Sequence, residues 1–329
     1  MGPHILTYTR NVFLPLTTVC HNRCGYCIFR TPVYEGAVMT PAEAESILAA
    51  GSVLGCTEAL FTFGERPGLE PGFPELLARY GYADILDYCY DLCVRSIEYG
   101  LLPHTNAGIL TLEEMEKLRS VNASMGLMLE TTATLPAHAG SPGKDPAVRI
   151  RMIEEAGSLK IPFTTGLLLG IGETMEDRED SLMEIRDLHR KYGHIQEVIL
   201  QNFCAKEGTL MEKSTGIDPE EMCLIIRMAK DILPADIAVQ IPPNLADAKN
   251  LIPCGVDDLG GISPVTVDYV NPEHPWPELD RLPEIAGDST LKERLCIYSR
   301  YIEKGWFHPR LEPLIRRLEQ HIECERGDT

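Results

Sequence analysis

The sequence predicts an α/β protein in which helices surround a barrel of parallel strands, the (β/α) TIM-type barrel, in partial or full form. Short apolar runs of about four to eight residues alternate with longer helical patterns between residues 11 and 244. The runs are almost continuously hydrophobic, which is typical of parallel strands covered on both faces. No Gly-rich dinucleotide fingerprint follows the first run, which disfavours an open Rossmann sheet.

Strands and helices are predicted in strict alternation up to residue 244. The strands lie at 11–18, 58–63, 101–106, 124–132, 163–172, 195–203 and 236–244. The helices lie at 40–55, 82–100, 111–121, 146–159, 174–193 and 218–233, and two more follow at 289–305 and 311–323. Local signals support these bounds: Thr40 and Thr111 are placed as N-caps, Pro41 stands at a first helical position, and Gly100 is placed as a stop.

The pattern changes after residue 242, where Pro, Gly and Asp become frequent. This stretch is too long for a linker and too aromatic for disorder, so we interpret it as an ordered cap or site loop. We expect one continuous domain, with a barrel core over residues 1–242. The site loop and a C-terminal helical extension, residues 243–329, are expected to pack on that core.

Composition and charge exclude several classes of function. The net charge is −19 and no Lys/Arg cluster stands out, so no nucleic-acid partner is expected. No apolar stretch is long enough to span a membrane, and no signal peptide is visible. Eleven cysteines without an export signal predict a reducing compartment and hence a cytoplasmic protein. Cys89 and Cys93, four positions apart in a predicted helix, are interpreted as core residues rather than metal ligands.

Three cysteines, Cys20, Cys24 and Cys27, follow the first predicted strand with the spacing C-x3-C-x2-C. In parallel barrels the carboxyl ends of the strands carry the chemistry. Three thiolates can ligate three irons of a 4Fe–4S cluster and leave the fourth iron open for a substrate. A zinc knuckle completed by His21, or three unrelated thiols, would be the alternatives.

The cysteine motif in this strand–loop context resembles the radical S-adenosylmethionine (SAM) enzymes. The resemblance implies a barrel of the radical SAM type and a 4Fe–4S cluster held by the three cysteines. It also implies that SAM binds the open iron through its amino and carboxylate groups. One electron from the cluster then cleaves SAM and releases a 5′-deoxyadenosyl radical. Tyr26, beside the last cysteine, occupies the aromatic position that lies near the adenine in this family.

Later strand ends resemble the SAM-binding segments of the same family. Gly64 and Glu65 end the second strand, where the ammonium of SAM is contacted, and residues 166–173, GLLLGIGE, match the glycine pattern beside the adenine. Glu130 ends the fourth strand, where a polar residue reaches the ribose or carboxylate. A polar ring at the rim comprises Thr105, Asn106, Gln201 and Asn202. The SAM contacts implied are Tyr26, Gly64, Glu65, Asn106, Glu130, Gly166, Gly170 and Gln201. A surface turn, packing glycines or a helix cap would explain several of these residues without SAM.

From about residue 10 to about residue 320 the chain resembles one branch of this superfamily, the small radical SAM subunits (subunit 1) of the deazaflavin (FO) synthases. The resembling stretches are ALFTFGERP, LLPHTN, MGLMLETTA, TTGLLLGIGE, QNF and, as the most discriminating, VDDLGGISPVTVDYVNPEHPWP. The resemblance implies a lyase reaction on 5-amino-5-(4-hydroxybenzyl)-6-(D-ribitylimino)-5,6-dihydrouracil. This adduct cyclises with loss of ammonia to 7,8-didemethyl-8-hydroxy-5-deazariboflavin (FO), while SAM is consumed as methionine and 5′-deoxyadenosine.

Substrate contacts and a proton acceptor are less clearly marked. A phenol and a polyol need neutral hydrogen-bonding groups and some carboxylates, and the candidates are His104, Asn244, Asp257 and Asp258. Ring closure also needs a base, for which His104, Asp257 and Asp258 are the catalytic candidates. The two aspartates could instead only shape an Asx turn.

The expected partners follow from the same resemblance. The substrate would come from a sister radical SAM subunit, with which this chain could associate, and a ferredoxin or flavodoxin would supply the electron. The alternatives are the sister tyrosine–uracil coupling subunit or a menaquinone-pathway enzyme, which the region 256–276 should distinguish. A non-catalytic iron–sulfur carrier is the alternative of another class, and it would require a fourth cysteine and no SAM pocket.

Overall fold

A computed structural model describes residues 4–327, with side chains described up to residue 324. Eight parallel strands pair in chain order and the eighth returns to the first, so the barrel is closed. The strands are β1 (Ile5–Pro15), β2 (Glu58–Thr62), β3 (Leu102–Asn106), β4 (Ser124–Gly126), β5 (Phe163–Leu169), β6 (Ile195–Asn202), β7 (Ala238–Gln240) and β8 (Asp258–Ile262). This confirms the predicted TIM-type barrel in its full form.

Helices cover the outside of the barrel. They are α1 (Pro41–Val53), α2 (Phe73–Ala78), α3 (Ile85–Tyr99), α4 (Leu112–Arg119), α5 (Pro146–Ser158), α6 (Met175–Tyr192), α7 (Pro219–Ile232), α8 (Ala248–Leu251), α9 (Leu282–Ala286), α10 (Ser299–Glu303) and α11 (Glu312–Gly327). None of the helices within residues 4–327 is both long and apolar enough to cross a membrane. A disulfide between Cys223 and Cys254 ties α7 to the turn that leads into β8.

The predicted helix boundaries hold where a cap specifies them. Thr40 accepts a hydrogen bond from the backbone N–H of Glu43, whose side chain bonds back to Thr40, and Thr111 forms the same capping box before α4. Gly100 ends α3 with φ at +88°, a left-handed conformation that glycine adopts without steric cost. Short polar contacts of this kind depend only on neighbouring residues, so the sequence reveals them.

Strand β1 begins at Ile5, before the start predicted at residue 11, and two later strand assignments differ more. The strand expected at 124–132 ends at Gly126, and a bridge between Glu130 and Leu167 follows it. Glu130 has a φ of 69°, which is outside the extended region. The eighth strand, Asp258–Ile262, lies in the segment interpreted as a loop, where its Gly-Gly pair conceals the strand pattern. Part of the barrel therefore follows residue 242, the boundary expected for the core.

The prediction of one long helix at 289–305 is wrong. Strand β9, Thr290–Glu293, pairs in parallel with Ile5–Tyr8, and only the short α10 follows. The first half of β1 extends beyond its pairing with β2, which starts at Asn11, and so offers an unpaired backbone edge. Pairing with that edge outweighs the local helical preference of the segment.

The barrel separates an apolar shell from a polar bore. Side chains between the strands and the helices form one continuous hydrophobic core, which includes the fully buried Cys89 and Cys93 and so confirms their interpretation as core residues. Alternate strand positions point inward instead. Several of these inward positions carry polar side chains, among them Asn11, Glu58 and His104, which line a central cavity.

Candidate active site

The cysteine loop, residues 16–31, leaves the carboxyl end of β1 and lies against the end of β2. The backbone N–H of Gly64 donates to the carbonyl of Thr17 at 2.9 Å, and that of His21 donates to the carbonyl of Glu65 at 2.9 Å. A Cβ atom at Gly64 would collide with the carbonyl of Val19. The glycine thus lets the end of β2 approach the cysteine loop itself.

The connection between β4 and α5 forms the second wall of the loop. The N–H of Gly25 donates to the carbonyl of Ala137 at 2.7 Å, and the N–H of Arg23 donates to the Ser141 hydroxyl at 2.9 Å. The N–H of Gly143 donates to Oδ1 of Asn22 at 3.0 Å. Two separate connections therefore fix the backbone around the three cysteines. No motif in the sequence pointed to this second wall.

Each of the three cysteines is a partly exposed free thiol. The N–H of Glu65 donates to Sγ of Cys20 at 3.2 Å, and the Ser141 hydroxyl donates to Sγ of Cys24 at 3.4 Å. Burial raises the pKa of Cys20 to about 11 and also raises the pKa of Cys27. Donors to sulfur are the groups that tune the ligands of iron–sulfur clusters, so this chemistry fits such a group.

Within residues 4–324, no three His, Cys, Asp or Glu side chains are grouped so that they could hold one ion. His21, the fourth ligand that a zinc knuckle would require, instead places Nδ1 3.0 Å from Oε1 of Glu70. In a 4Fe–4S cubane each cysteine attaches to a different iron, and the assignment of the three cysteines to such a cluster stays a prediction.

Charged side chains surround Tyr26 beside the loop. Glu130 pairs with Lys144, and its burial is outweighed by the charges of Lys144 and Arg149, which hold the pKa of Glu130 below its usual value. The hydroxyl of Tyr26 lies 3.2 Å from Nε2 of His138. The structure thus brings together two predicted SAM contacts, Tyr26 and Glu130. Around them lie three residues that the sequence analysis did not single out, His138, Lys144 and Arg149.

The side chain of Glu65 is buried and already has partners. Its Oε2 accepts from the N–H of Ile109 at 3.1 Å and lies 3.6 Å from the guanidinium of Arg149. A Cβ at either Gly108 or Gly143 would collide with this carboxylate. Glu65 therefore joins the two walls of the cysteine loop, and its contact with the ammonium of SAM stays a prediction.

The exit of β5 is built by close backbone packing. Gly166 lies against the backbone of Ile199, and Gly170 has a φ of +94°. The carboxylate of Glu173 accepts from the N–H groups of Gly170 and Ile171 at 2.7 and 2.8 Å, so it closes the turn. A small apolar cluster lies here, and Tyr26 packs against it. Its members are Leu135, Ala137, Leu168, Ile171 and Phe203. An apolar surface beside the cysteine loop suits the face of a purine.

A cavity of about 210 Å³ occupies the bore of the barrel. Its upper part is lined by Asn106 and Gln201, the predicted polar residues at the ends of β3 and β6, and by Trp276 from the C-terminal segment. Asp268 fixes that segment, since its Oδ2 accepts from the side-chain amides of Asn244 and Asn271, each at 3.0 Å. The C-terminal segment therefore supplies one wall of this cavity.

Two other rim residues face away from it. The hydroxyl of Thr105 donates to Asn122 at 2.7 Å, and the amide of Asn202 holds the backbone of Ile217 through two bonds of 3.0 Å. Neither residue lines the bore cavity.

The structure places the three catalytic candidates away from the cysteine loop. His104 lies within the bore, and Asp257 and Asp258 lie at the amino end of β8, the opposite end of the barrel. Asp257 pairs with Lys230 at 2.7 Å, and the fully buried Asp258 pairs with Arg294 at 2.6 Å. These pairings give both aspartates structural partners, and their predicted catalytic roles stay untested.

Substituting Gly64 tests the packing of the cysteine loop. Because its added Cβ would lie 2.8 Å from Cβ of Cys20 and collide with Val19, Gly64→Ala should destabilise the fold by about 1–3 kcal/mol. It should also lower the iron bound per chain after reconstitution. Gly68→Ala is the matched control, since nothing lies within 4 Å of its added Cβ. Equal iron content and equal unfolding midpoints for the two variants would contradict this reading.

His104 should make the fold sensitive to acid. Burial, with a smaller contribution from Arg294, lowers the pKa of His104 to about 3, so the folded chain keeps it neutral while the unfolded chain protonates it below about 6.5. Stability is therefore lost as the pH falls. Between pH 7.5 and 5.0, the wild type should lose about 2 kcal/mol more than His104→Asn. Urea unfolding at both pH values measures this, and identical pH dependence in the two proteins would refute it.

Comparison with known proteins shows the family to which this chain belongs. Residues 14–185 match the model of the radical SAM superfamily. The chain is 69% identical over 329 residues to the 7,8-didemethyl-8-hydroxy-5-deazariboflavin synthase of Methanoculleus marisnigri, covering 100% of this chain and 99% of that protein. The protein of the same name from Methanoregula boonei is 64% identical, with the same coverage.

Solved structures resemble the fold at low identity. The FeFe-hydrogenase maturase HydG from Carboxydothermus hydrogenoformans has a TM-score of 0.67 at 17% identity, covering 96% of this chain and 82% of that chain. Methylornithine synthase has a TM-score of 0.60 at 17% identity, covering 95% and 86%. At this identity, the likeness extends to the fold alone.

Proposed function

Because the chain belongs to the radical SAM superfamily and to the family of 7,8-didemethyl-8-hydroxy-5-deazariboflavin synthases, we propose that it catalyses the ring closure that yields this deazaflavin. The substrate would be 5-amino-5-(4-hydroxybenzyl)-6-(D-ribitylimino)-5,6-dihydrouracil, and the reaction would release ammonia. The full-length identity of 69%, which includes the discriminating region 256–276, is the observation that supports this proposal.

Cys20, Cys24 and Cys27 would hold the 4Fe–4S cluster. When bound, the cluster and SAM together supply a 5′-deoxyadenosyl radical that can remove a hydrogen atom from an unactivated carbon. The residues around Tyr26 and Glu130, the backbone at 64–65 and the exit of β5 would hold SAM, together with Asn106 and Gln201 above the bore. The apolar cluster under Tyr26 would take the adenine face.

The bore would hold the substrate. Its walls carry neutral hydrogen-bonding side chains, including Asn106 and Gln201, and Trp276 covers it from the C-terminal segment. Such a cover excludes water and other hydrogen donors, which would otherwise quench a substrate radical. The position of the cavity, inside the bore and below Trp276, is therefore suited to radical chemistry.

Two partners are part of the proposal. A sister radical SAM subunit would supply the tyrosine–uracil adduct. A ferredoxin or flavodoxin would supply the electron, and the enzyme would act in the cytoplasm.

The test is anaerobic reconstitution with iron and sulfide, followed by SAM, a reductant and the adduct. We expect deazaflavin fluorescence together with ammonia and 5′-deoxyadenosine. If tyrosine and ribitylaminouracil drive 5′-deoxyadenosine formation while the adduct does not, the chain is instead the coupling subunit. If the EPR spectrum of the reduced cluster is unchanged by SAM and nothing turns over, it is an iron–sulfur carrier.

A further inference from the structure

The bore contains two buried polar atoms without a hydrogen-bond partner. They are Oδ1 of Asn11, whose residue is 1% exposed, and Nε1 of Trp276, and both residues line the cavity. An unsatisfied buried polar group costs about 1–3 kcal/mol, so such atoms usually have a partner in the working state of a protein. An acceptor low in the bore and a donor in its cover therefore indicate an occupant with polar groups along its length.

Glu58 lies beside Asn11 in this cavity. The two residues are register partners on β2 and β1, and both line the bore. Burial is the main reason that the pKa of Glu58 rises to about 7, with Glu197 adding to the rise and Arg294 opposing it. Near neutral pH this carboxyl can therefore both donate and accept hydrogen bonds.

The floor beneath Asn11 and Glu58 is closed by a compensated set of charges. Arg294 binds Asp258 through two bonds of 2.6 and 2.7 Å and binds Glu197 at 2.6 Å. The Glu197 carboxylate also accepts from Thr164 at 2.7 Å. Among the described residues that line the cavity, Arg294 is the only cation, and it is already paired with two carboxylates. These residues therefore offer no free positive charge for a phosphate or carboxylate ligand.

The remaining groups at this depth suit hydroxyl groups. His104 is neutral, with Nδ1 2.7 Å from the Ser124 hydroxyl, and its imidazole lines the cavity together with Thr9 and Gln240. Each hydroxyl of a linear polyol donates one hydrogen bond and accepts others, and it carries no charge to neutralise. A bore with neutral donors and acceptors at successive levels and no free cation matches such a chain better than an anion.

The geometry points to Asn11 and Glu58 as the residues that hold the hydroxyl groups of a linear polyol at the floor of the bore. This inference rests on the proposed function, in which the substrate carries a ribityl chain. With the polyol at the floor, the ring system of the substrate extends toward Asn106, Gln201 and the cysteine loop. The pair therefore determines specificity through substrate position, at the opposite end of the cavity from the cluster.

The test compares two substrates on the reconstituted enzyme: the ribityl adduct and the same adduct with a methyl group in place of the ribityl chain. Glu58→Gln and Asn11→Ala should each raise KM for the ribityl substrate about tenfold or more, as expected for a lost hydrogen bond to a buried group. The kcat should change little. Neither variant should change KM for the methyl substrate, for which the wild type should already show the raised value.

Glu58→Gln is nearly isosteric, so it keeps the inference testable if Asn11→Ala folds poorly. Equal losses on both substrates, or unchanged KM for the ribityl substrate in Glu58→Gln, would overturn the inference while leaving the proposed function intact. A wild-type enzyme that forms no deazaflavin from either adduct would overturn the proposed function and this inference with it.

Discussion

Replacing Cys24 by alanine should abolish both deazaflavin and 5′-deoxyadenosine formation. Cys24 is one of three sulfurs in a loop that two separate walls hold in place, and the Ser141 hydroxyl donates to it. Without this sulfur, one of the proposed cluster irons would lose its protein ligand. We expect activity to fall by about a thousandfold or more, as when an essential member of a catalytic unit is removed.

Cys204→Ala is the matched control for that experiment. Cys204 is also a partly exposed free thiol, and its sulfur makes a weak contact with the carbonyl of Asn202 at 3.9 Å. The control should keep its iron, its SAM-dependent EPR change and its turnover. The assignment of the cluster would be wrong if Cys24→Ala kept full iron content and activity, or if both substitutions inactivated the enzyme equally.

Replacing Asp258 by alanine should produce the largest loss of stability. Asp258 is fully buried and binds Arg294 through both carboxylate oxygens, and it also accepts from Thr7 and from the N–H of Gly260. Its removal would leave the buried Arg294 with Glu197 as the remaining close carboxylate. Breaking a buried ion pair on one side costs about 3–5 kcal/mol. The free energy of unfolding in urea, measured on the cluster-free chain, tests this.

The neighbouring Asp257 is a matched control with the same side chain. It pairs with Lys230 at a partly exposed site and accepts from the N–H of Val239 at 2.8 Å. Such contacts are worth about 1 kcal/mol, so Asp257→Ala should cost far less than Asp258→Ala. Asp258→Asn, which keeps the shape, should lie between them. Similar losses for the two alanine variants would contradict the account of the barrel floor.

The sequence pointed to the cysteine loop because that signal is contiguous, and the role of its cysteines as cluster ligands stays a prediction. Cys20, Cys24 and Cys27 follow a strand within one short loop, so their spacing and context were visible together. Lys144 and Arg149 were missed, because they come from the segment before α5 and from α5 itself and meet Glu130 and Glu65 only through folding. No local pattern marks such a pair in advance.

The aspartate pair shows what the direction of a strand adds to a sequence motif. Asp257 and Asp258 were visible as neighbours, but the segment read as a loop, so the direction of β8 was unknown. Once β8 closes the barrel, the pair lies at its amino end, where Asp258 meets Arg294 from the C-terminal extension. Strand direction thus decides which end of the bore a residue faces.

By itself, the sequence determined the alternation of strands and helices, the caps, the apolar shell and the cysteine motif, because each depends on residues close together in the chain. Tertiary structure alone decided that the barrel closes through β8, that β9 pairs with the free edge of β1, and that Asn11 and Glu58 share one bore. Those outcomes depend on backbone edges and buried charges that find their partners only when distant segments meet. Local propensity carries no information about such partners.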